Sequence, residues 1–226
     1  MASTGGNLLQ RTRCLYFYDT TTACNKRAPG SGCGARDGFN RMNAVLGWSE
    51  ACIAVHPSDM CVALEAVVHA TGPNGDRAIP FAEFHLLPGN TPQKEFSLDH
   101  DELITAVVLP ALQPGSRSWY VKIRDRESFE FALASVAVVV ETDGSTITNA
   151  RIALGGVATK PWRATTAEAA LRGKKLSEVQ LAEVAARAVE GAQPRKHNAF
   201  KVELVRRVVT RALSAVAVSQ PSVRDI

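Results

Sequence analysis

The pattern of apolar and polar positions changes character near residue 118. Beyond that point, residues 199–216 place apolar side chains every three or four positions, with charged side chains, Lys201 among them, on the opposite face. This spacing predicts an amphipathic helix, and a similar spacing over 177–191 predicts a second one. Before these two helices, residues 129–157 contain two apolar runs on either side of a TDGS turn. This pattern predicts a helix or strand followed by a pair of strands.

The first half of the chain is richer in loops and short strands. Residues 60–72 have the pattern of a short helix that continues into a strand, and PNGDR at 73–77 is typical of a turn between strands. Strand-and-loop patterns follow over 78–89 and 101–110. The stretch 110–118, PALQPGSRS, has two prolines, a glycine and two serines and predicts a linker. The whole pattern therefore predicts an α+β protein in two pieces.

Charge and length exclude several classes of protein. The 226 residues carry a net charge of +4, and the basic residues are interspersed with acidic ones, so no cluster predicts binding to nucleic acid. No run approaches the roughly 20 apolar residues of a membrane span. The first 13 residues lack the charged-then-apolar order of a secretory signal. We therefore expect a cytoplasmic protein, or a periplasmic one if a signal-bearing partner exports it.

The five cysteines all fall within the first 61 residues. Cys14, Cys24, Cys33 and Cys52 are separated by nine, eight and eighteen residues, in a segment rich in Thr, Asn, Pro and Gly. Thiolates on such a loop can converge on a metal or an iron–sulfur cluster, whereas the lack of close C-x2-C pairs disfavours a zinc ribbon. Unrelated free thiols are the other interpretation. We interpret Cys61, in an apolar stretch, as a buried small hydrophobic residue.

Two short motifs flank the cysteine loop. STGGN at 3–7 has adjacent glycines, which let backbone N–H groups approach a phosphate closely, although an ordinary tight turn is the alternative. In HPSDM at 56–60, Ser58 and Asp59 either cap the following helix or face a ribose. We interpret His56 as a loop or capping residue rather than a catalytic one.

Five motifs follow one another in a fixed order: STGGNLLQ, the cysteine loop, HPSDM before a helix, DELITAVVLP, and YVKIRDRESFEFALASVAV. Their order resembles the FAD-binding subunits of the xanthine dehydrogenase, or molybdenum hydroxylase, family. The likeness is to the branch of bacterial aldehyde oxidoreductases whose flavin subunit carries a 4Fe-4S insertion. It implies a partial FAD-binding lobe of the PCMH type over 1–112, with the cysteine loop at 14–52. It also implies a C-terminal domain over 116–220, with a small antiparallel sheet and packed helices.

The resemblance also implies which residues hold the cofactors, and it implies no catalytic acid or base. The four cysteines Cys14, Cys24, Cys33 and Cys52 match the ligands of the 4Fe-4S cluster. The residues that match flavin contacts are Ser3, Gly5, Gly6 and Asn7 in the turn at the FAD diphosphate, the acidic Asp59, the apolar Ile104, and Lys122 near the cofactor.

The function that the resemblance implies is electron transfer. A large partner subunit with a molybdenum cofactor oxidises an aldehyde or a similar substrate, a small partner passes electrons through 2Fe-2S centres to FAD in this chain, and the 4Fe-4S cluster is a relay or a structural brace. In this family a first FAD-binding lobe precedes the GGN motif, so we expect this chain to be truncated at its N-terminus. Two alternatives stay open: a non-catalytic cluster-bearing remnant and a zinc-binding interaction module.

Overall fold

The structure, a computed structural model, describes residues 3–57, 65–128, 130–175 and 179–218. Within these ranges it contains short and long helices and two antiparallel sheets, which confirms the predicted α+β class. No helix in the described part of the chain is long and apolar enough to cross a bilayer. The helix predicted near residues 60–64 lies outside the described residues.

The first sheet consists of β1 (Val67–Gly72), β2 (Gly75–Pro80) and β3 (Leu103–Val108), in the order β2-β1-β3. β1 and β2 form a hairpin whose two-residue turn ends at Gly75. The φ angle of Gly75 is +97°, a value that glycine adopts without steric cost. α3 (Phe81–Phe84) follows β2 and buries both of its aromatic rings in the core under this sheet. The turn predicted from PNGDR is therefore confirmed.

The second sheet has the order β4 (Arg117–Ile123), β5 (Ala134–Asp143), β6 (Thr146–Gly155) and β7 (Trp162–Arg163), with antiparallel neighbours throughout. The apolar run for which the sequence leaves helix and strand open is β5. Its first seven residues are all buried, so the run has no polar face and its period does not show which element it forms. The β-branched valines favour the strand.

Three helices, α4 (Thr165–Leu171), α5 (Leu181–Ala188) and α6 (Phe200–Val218), form the main core with alternate residues of β5 and β6. The other face of the second sheet contributes Ala137 and Ala153 to the core under the first sheet. Burial on both faces explains why β5 is apolar throughout. The two predicted helices in this half are confirmed as α5 and α6, while the proposed division into two domains stays a prediction.

The cysteine segment, residues 12–57, is mostly loops and turns, with α2 (Leu15–Tyr18) as its only helix among the residues described. It runs beside the end of the second sheet at one point. There the backbone N–H groups of Val45 and Leu46 both donate to the carbonyl oxygen of Val157, at 2.8 and 3.1 Å. The segment therefore contacts the C-terminal half directly.

Candidate functional site

The GGN motif forms the start of α1 (Thr4–Leu8), a short helix rather than a plain turn. The hydroxyl oxygen of Ser3 accepts the backbone N–H of Gly6 at 3.0 Å, which is the N-cap bond of this helix. A Cβ at Gly6 would lie 3.0 Å from the same oxygen, so glycine leaves room for the cap. Ser3 and Asn7 are exposed, and the first N–H groups of any helix lack intrahelical partners. The motif therefore presents polar groups to solvent.

Ile104 of β3 packs against this motif. A Cβ added at Gly5 would lie 3.7 Å from the Cβ of Ile104, so the Ile104 side chain lies directly beside Gly5 of α1. Leu8 is 1% exposed and anchors α1 in the core under the first sheet. We call this group of five predicted flavin contacts the GGN corner: Ser3, Gly5, Gly6, Asn7 and Ile104.

The other two predicted flavin contacts are not part of the GGN corner. Lys122 lies on β4 of the second sheet, opposite Ser135 of β5, and its side chain is exposed. Asp59 lies outside the described residues, as do Ser58 and Cys61. The roles assigned to these residues from the sequence stay predictions.

Cys24 and Cys33 face each other across a short antiparallel bridge. The loop between them is closed by the backbone N–H of Asn25, which donates to the carbonyl oxygen of Gly32 at 2.7 Å. Gly30 and Gly32 have φ angles of +86° and +95°, which other residues rarely adopt. The glycines of this loop therefore allow the chain to turn back and bring the two cysteines together.

Cys14 and Cys52 complete the group. The sulfur of Cys14 accepts the side-chain N–H of Asn43 at 3.5 Å, and that of Cys52 accepts the backbone N–H two residues later at 3.4 Å. Burial raises the pKa of both thiols, that of Cys52 to about 11, and nearby Cys33 raises both further. Of the four, the structure directly pairs Cys24 with Cys33.

The four cysteines are free thiols. Among the residues that the structure describes, no three Cys, His, Asp or Glu side chains are close enough to hold a single metal ion. A zinc ion needs its ligand atoms at about 2.0–2.3 Å. The described cysteines are therefore grouped too openly for one zinc ion.

Two cations hold the cysteine segment in place. Arg27 donates to two carbonyl oxygens of α2, at 2.8 Å each. Lys26 pairs with Glu95 at 3.0 Å, and its charge lowers the pKa of Cys52 against the larger effect of burial. Charged donors therefore fix the loop where apolar side chains are few.

His56 is a buried loop residue, only 7% exposed. Its ring centroid lies 4.3 Å from that of His85. Burial, with a smaller contribution from His85, lowers the pKa of His56 to about 3, so the imidazole is uncharged at neutral pH. The ring also lines a cavity of about 220 Å³ that Cys14 and Phe131 share. His56 therefore packs as a neutral ring beside the cysteine segment.

The helical pattern predicts Lys201 on the charged face of α6, and this prediction is wrong. Lys201 is 0% exposed, and its Nζ donates to the carbonyl oxygens of Met42 at 3.1 Å and Gly156 at 2.8 Å. The first turn of α6 faces the cysteine segment instead of solvent. The sequence carries no signal for this contact, nor for the buried asparagines beside it: Asn40, Asn43 and Asn198.

Two family profiles match the chain. The FAD binding domain in molybdopterin dehydrogenase matches residues 1–112, and the CO dehydrogenase flavoprotein C-terminal domain matches residues 119–216. The aldehyde oxidoreductase FAD-binding subunit PaoB of Escherichia coli K12 is 50% identical over 218 residues, which are 94% of this chain and 65% of PaoB. The carbon monoxide dehydrogenase medium chain of Hydrogenophaga pseudoflava is 33% identical over 164 residues, 71% of this chain and 55% of that relative.

Solved structures show the same likeness. The carbon monoxide dehydrogenase from Hydrogenophaga pseudoflava superposes with a TM-score of 0.60 and 30% sequence identity, over 72% of this chain and 56% of that chain. This chain therefore spans little more than half of that structure and just under two thirds of PaoB. Since the two profiles cover nearly all of its residues and PaoB is half identical to it, the chain belongs to the FAD-binding subunits of the molybdenum hydroxylase family.

Proposed function

We propose that this chain is the flavin subunit of a molybdenum-containing aldehyde oxidoreductase, which receives electrons on FAD and delivers them to an acceptor. The observation that carries the proposal is the 50% identity to an aldehyde oxidoreductase FAD-binding subunit. Other relatives are named medium chains or a medium subunit, which supports an assembly of several chains. The partners we propose are a large subunit with the molybdenum cofactor and a small subunit with 2Fe-2S centres.

FAD fits the GGN corner. The exposed polar side chains of Ser3 and Asn7 suit hydrogen bonds to a diphosphate. Ile104 offers an apolar surface beside them, and we assign Asp59 and Lys122 to further contacts. Bound FAD supplies the electron-transfer chemistry. The residues of this chain would bind and orient it, within the proposed lobe 1–112 and beside the proposed C-terminal domain 116–220.

We further propose that a 4Fe-4S cluster is bound by Cys14, Cys24, Cys33 and Cys52. A cluster of four irons is larger than a single ion, so its thiolates lie farther apart than the ligands of one zinc. The bridge that sets Cys24 opposite Cys33 in a glycine-bearing loop supports the convergence of thiolates that a cluster needs. The N–H groups that reach two of the sulfurs are of the kind that tunes cluster potentials.

The cluster would also complete the fold of the cysteine segment. Without iron, the thiols of Cys14 and Cys52 are protonated at neutral pH, and burial raises their pKa further. Iron binds thiolates, so assembly of the cluster releases these protons. The free energy of cluster binding then also stabilises the folded segment. We expect iron-free protein to be intact in its sheets and loosened in this segment.

The experiment has two preparations. The full chain, expressed alone and purified without oxygen, is analysed for iron, acid-labile sulfide and zinc, and we expect about four irons and four sulfides per chain. The chain co-purified with the products of neighbouring genes is analysed for FAD, molybdenum and aldehyde oxidation. We expect a yellow complex that reduces an added dye when it is given an aldehyde.

The alternatives predict different results. Zinc without sulfide would contradict the cluster and favour a zinc-binding interaction module. Iron and sulfide in a colourless complex without FAD would favour a cluster-bearing remnant without electron-transfer activity. Molybdenum and FAD in a complex that oxidises no aldehyde would contradict the proposed substrate class alone.

A further inference from the structure

A buried polar network joins the turn before α6 and the start of that helix, residues 197–201, to the cysteine segment. The side-chain N–H groups of Asn198, which is 0% exposed, donate to the carbonyl oxygens of Asn43 and Ala44 at 3.2 Å each. The backbone N–H of His197 donates to the side-chain oxygen of Asn40 at 2.9 Å. Buried amides that make all of these bonds specify one arrangement of the chain. Residues 40–44 are therefore fixed from the C-terminal half.

Lys201 extends this network with a buried charge. Its two bonds to Met42 and Gly156 go to neutral carbonyl oxygens, and within the described ranges it forms no ion pair with a carboxylate. The nearest charged groups that affect it, Arg41 and Asp125, are paired with each other at 2.8 Å. A buried cation without a direct counter-charge is costly, and burial accordingly lowers the pKa of Lys201 to about 7.

Gly156 is shaped for this contact. Its φ angle is +73°, and a Cβ there would lie 2.6 Å from the carbonyl oxygen of Ala132. Only glycine allows the chain to turn at the end of β6 and aim its carbonyl oxygen at Lys201. The lysine thus bridges two backbone segments, one in the cysteine segment and one after the second sheet.

The network ends at a cysteine. Asn43, whose backbone is held by Asn198, donates its side-chain N–H to the sulfur of Cys14. Asn43 is itself 5% exposed, so its amide is buried. The bond from Asn198 to the backbone of Asn43 therefore helps to place the donor to the sulfur.

We propose that Lys201 and Asn198 are positioning residues for the 4Fe-4S cluster, an inference that rests on the cluster proposed above. Asn198 holds the backbone of Asn43 so that its amide meets the sulfur of Cys14. Lys201 fixes the backbone of Met42, the residue before Asn43, and so holds the same stretch of chain in place. An N–H···S bond stabilises the more negative, reduced cluster and so raises its reduction potential.

The test compares three variants of the full chain with wild type. Asn43→Leu removes the donor to sulfur and leaves its own backbone in place, Lys201→Met removes the buried charge at similar length, and Lys196→Met removes an exposed lysine five residues away as the control. Each protein is titrated with reductant without oxygen, and the reduced cluster is followed by electron paramagnetic resonance. Iron per chain and the far-UV circular dichroism spectrum are measured on the same samples.

We expect Asn43→Leu to keep its iron and to titrate at a more negative potential than wild type. Lys201→Met should shift in the same direction or lose most of its iron while its circular dichroism stays that of wild type, and Lys196→Met should match wild type in both. Unchanged potential and iron content in both buried variants would overturn the inference and leave the cluster proposal standing. A wild-type chain without iron and sulfide would instead overturn the cluster proposal itself. If Lys201→Met does not fold, the reduction potential of the Asn43→Leu protein alone tests the inference.

Discussion

The second sheet and the cysteine segment are held together by different forces. β5 and β6 fully bury large aliphatic side chains such as Ile152 and Leu154, and burial of apolar area contributes about 25 cal/mol per Å². The cysteine segment buries Val45, Leu46 and Ile53 but is otherwise fixed by backbone bonds, by Arg27 and Lys26, and by buried amides. Apolar packing against the helices stabilises the second sheet. Contacts with neighbouring elements and, as we propose, a bound cluster stabilise the cysteine segment.

This difference predicts that the two regions respond differently to the same kind of change. Losing a methylene group from the sheet leaves a cavity whether or not iron is bound. Losing a ligand from the segment matters only when there is iron to bind. Core substitutions in the sheet and ligand substitutions in the segment therefore distinguish stabilisation by apolar packing from stabilisation by the proposed cluster.

The largest effect is expected from a cavity in the sheet. Leu154 is 0% exposed in the main core, so Leu154→Ala should lower the free energy of unfolding by about 2–5 kcal/mol. Urea unfolding followed by circular dichroism measures it, with and without bound iron. Leu15→Ala is the control, since Leu15 is 69% exposed and its loss should change the free energy by less than about 0.5 kcal/mol. A larger loss for the control than for the core variant would reverse our comparison.

The same difference decides how much of the molecule could be predicted from the sequence. α5 and α6 each bury one face, so they leave a helical period in the sequence, and the β1–β2 hairpin is marked by its turn residues. β5 is buried on both faces and leaves no period, which is why helix and strand could not be separated there. Its flanking TDGS turn was the better indicator.

The sequence predicts those parts of the site that depend on residue type, and it does not predict those that depend on tertiary packing. The four cysteines are visible as residues in the sequence, and the structure pairs two of them, Cys24 and Cys33, while their role as ligands stays a prediction. Lysine is usually a surface residue, and the spacing of Lys201 places it on the polar face of the predicted helix. It is nevertheless buried, because the cysteine segment covers the first turn of α6. Contacts between residues 40–44 and 198–201 join positions far apart in the chain, and a local pattern cannot report them.

A smaller effect is expected from acid, through His56. Its pKa is lowered to about 3 in the fold, while in the unfolded chain it is about 6.5. Below pH 6.5 the unfolded chain therefore binds a proton that the folded protein does not, so stability is present above 6.5 and is lost as the pH falls towards 3. At about 1.4 kcal/mol per pH unit, this amounts to about 2 kcal/mol between pH 6.5 and 5.

Urea unfolding at several pH values measures this loss in wild type, His56→Phe and His100→Phe. The side chain of His100 is fully exposed, so His100→Phe is expected to keep the wild-type dependence. His56→Phe should lose about 2 kcal/mol less than wild type over the same interval, whatever its stability at pH 7. Equal slopes in all three proteins would show that His56 is not a buried neutral ring.

The smallest effect on stability is expected from Cys33→Ser in iron-free protein. Comparison of this variant with and without iron also separates the cysteine segment from the sheet most clearly. Cys33 contributes little apolar area, so the free energy of unfolding should change by less than about 1 kcal/mol. In protein loaded with iron, the same substitution should abolish the cluster and expose the segment to trypsin at Arg27 and Arg36. Mass spectrometry of the fragments, taken over time, gives the cleavage rate within residues 12–57.

Cys61→Ser is the matched control, because we interpret Cys61 as a hydrophobic residue and not as a ligand. It should keep the iron and the slow cleavage of wild type, while Cys33→Ser is cut as fast as iron-free wild type. Loss of iron from the Cys61 variant with retention in the Cys33 variant would mean that the ligand set is wrong. Slow cleavage in every iron-free protein would mean that the segment orders itself without a cluster, and the contrast between the two regions would then lie in composition alone.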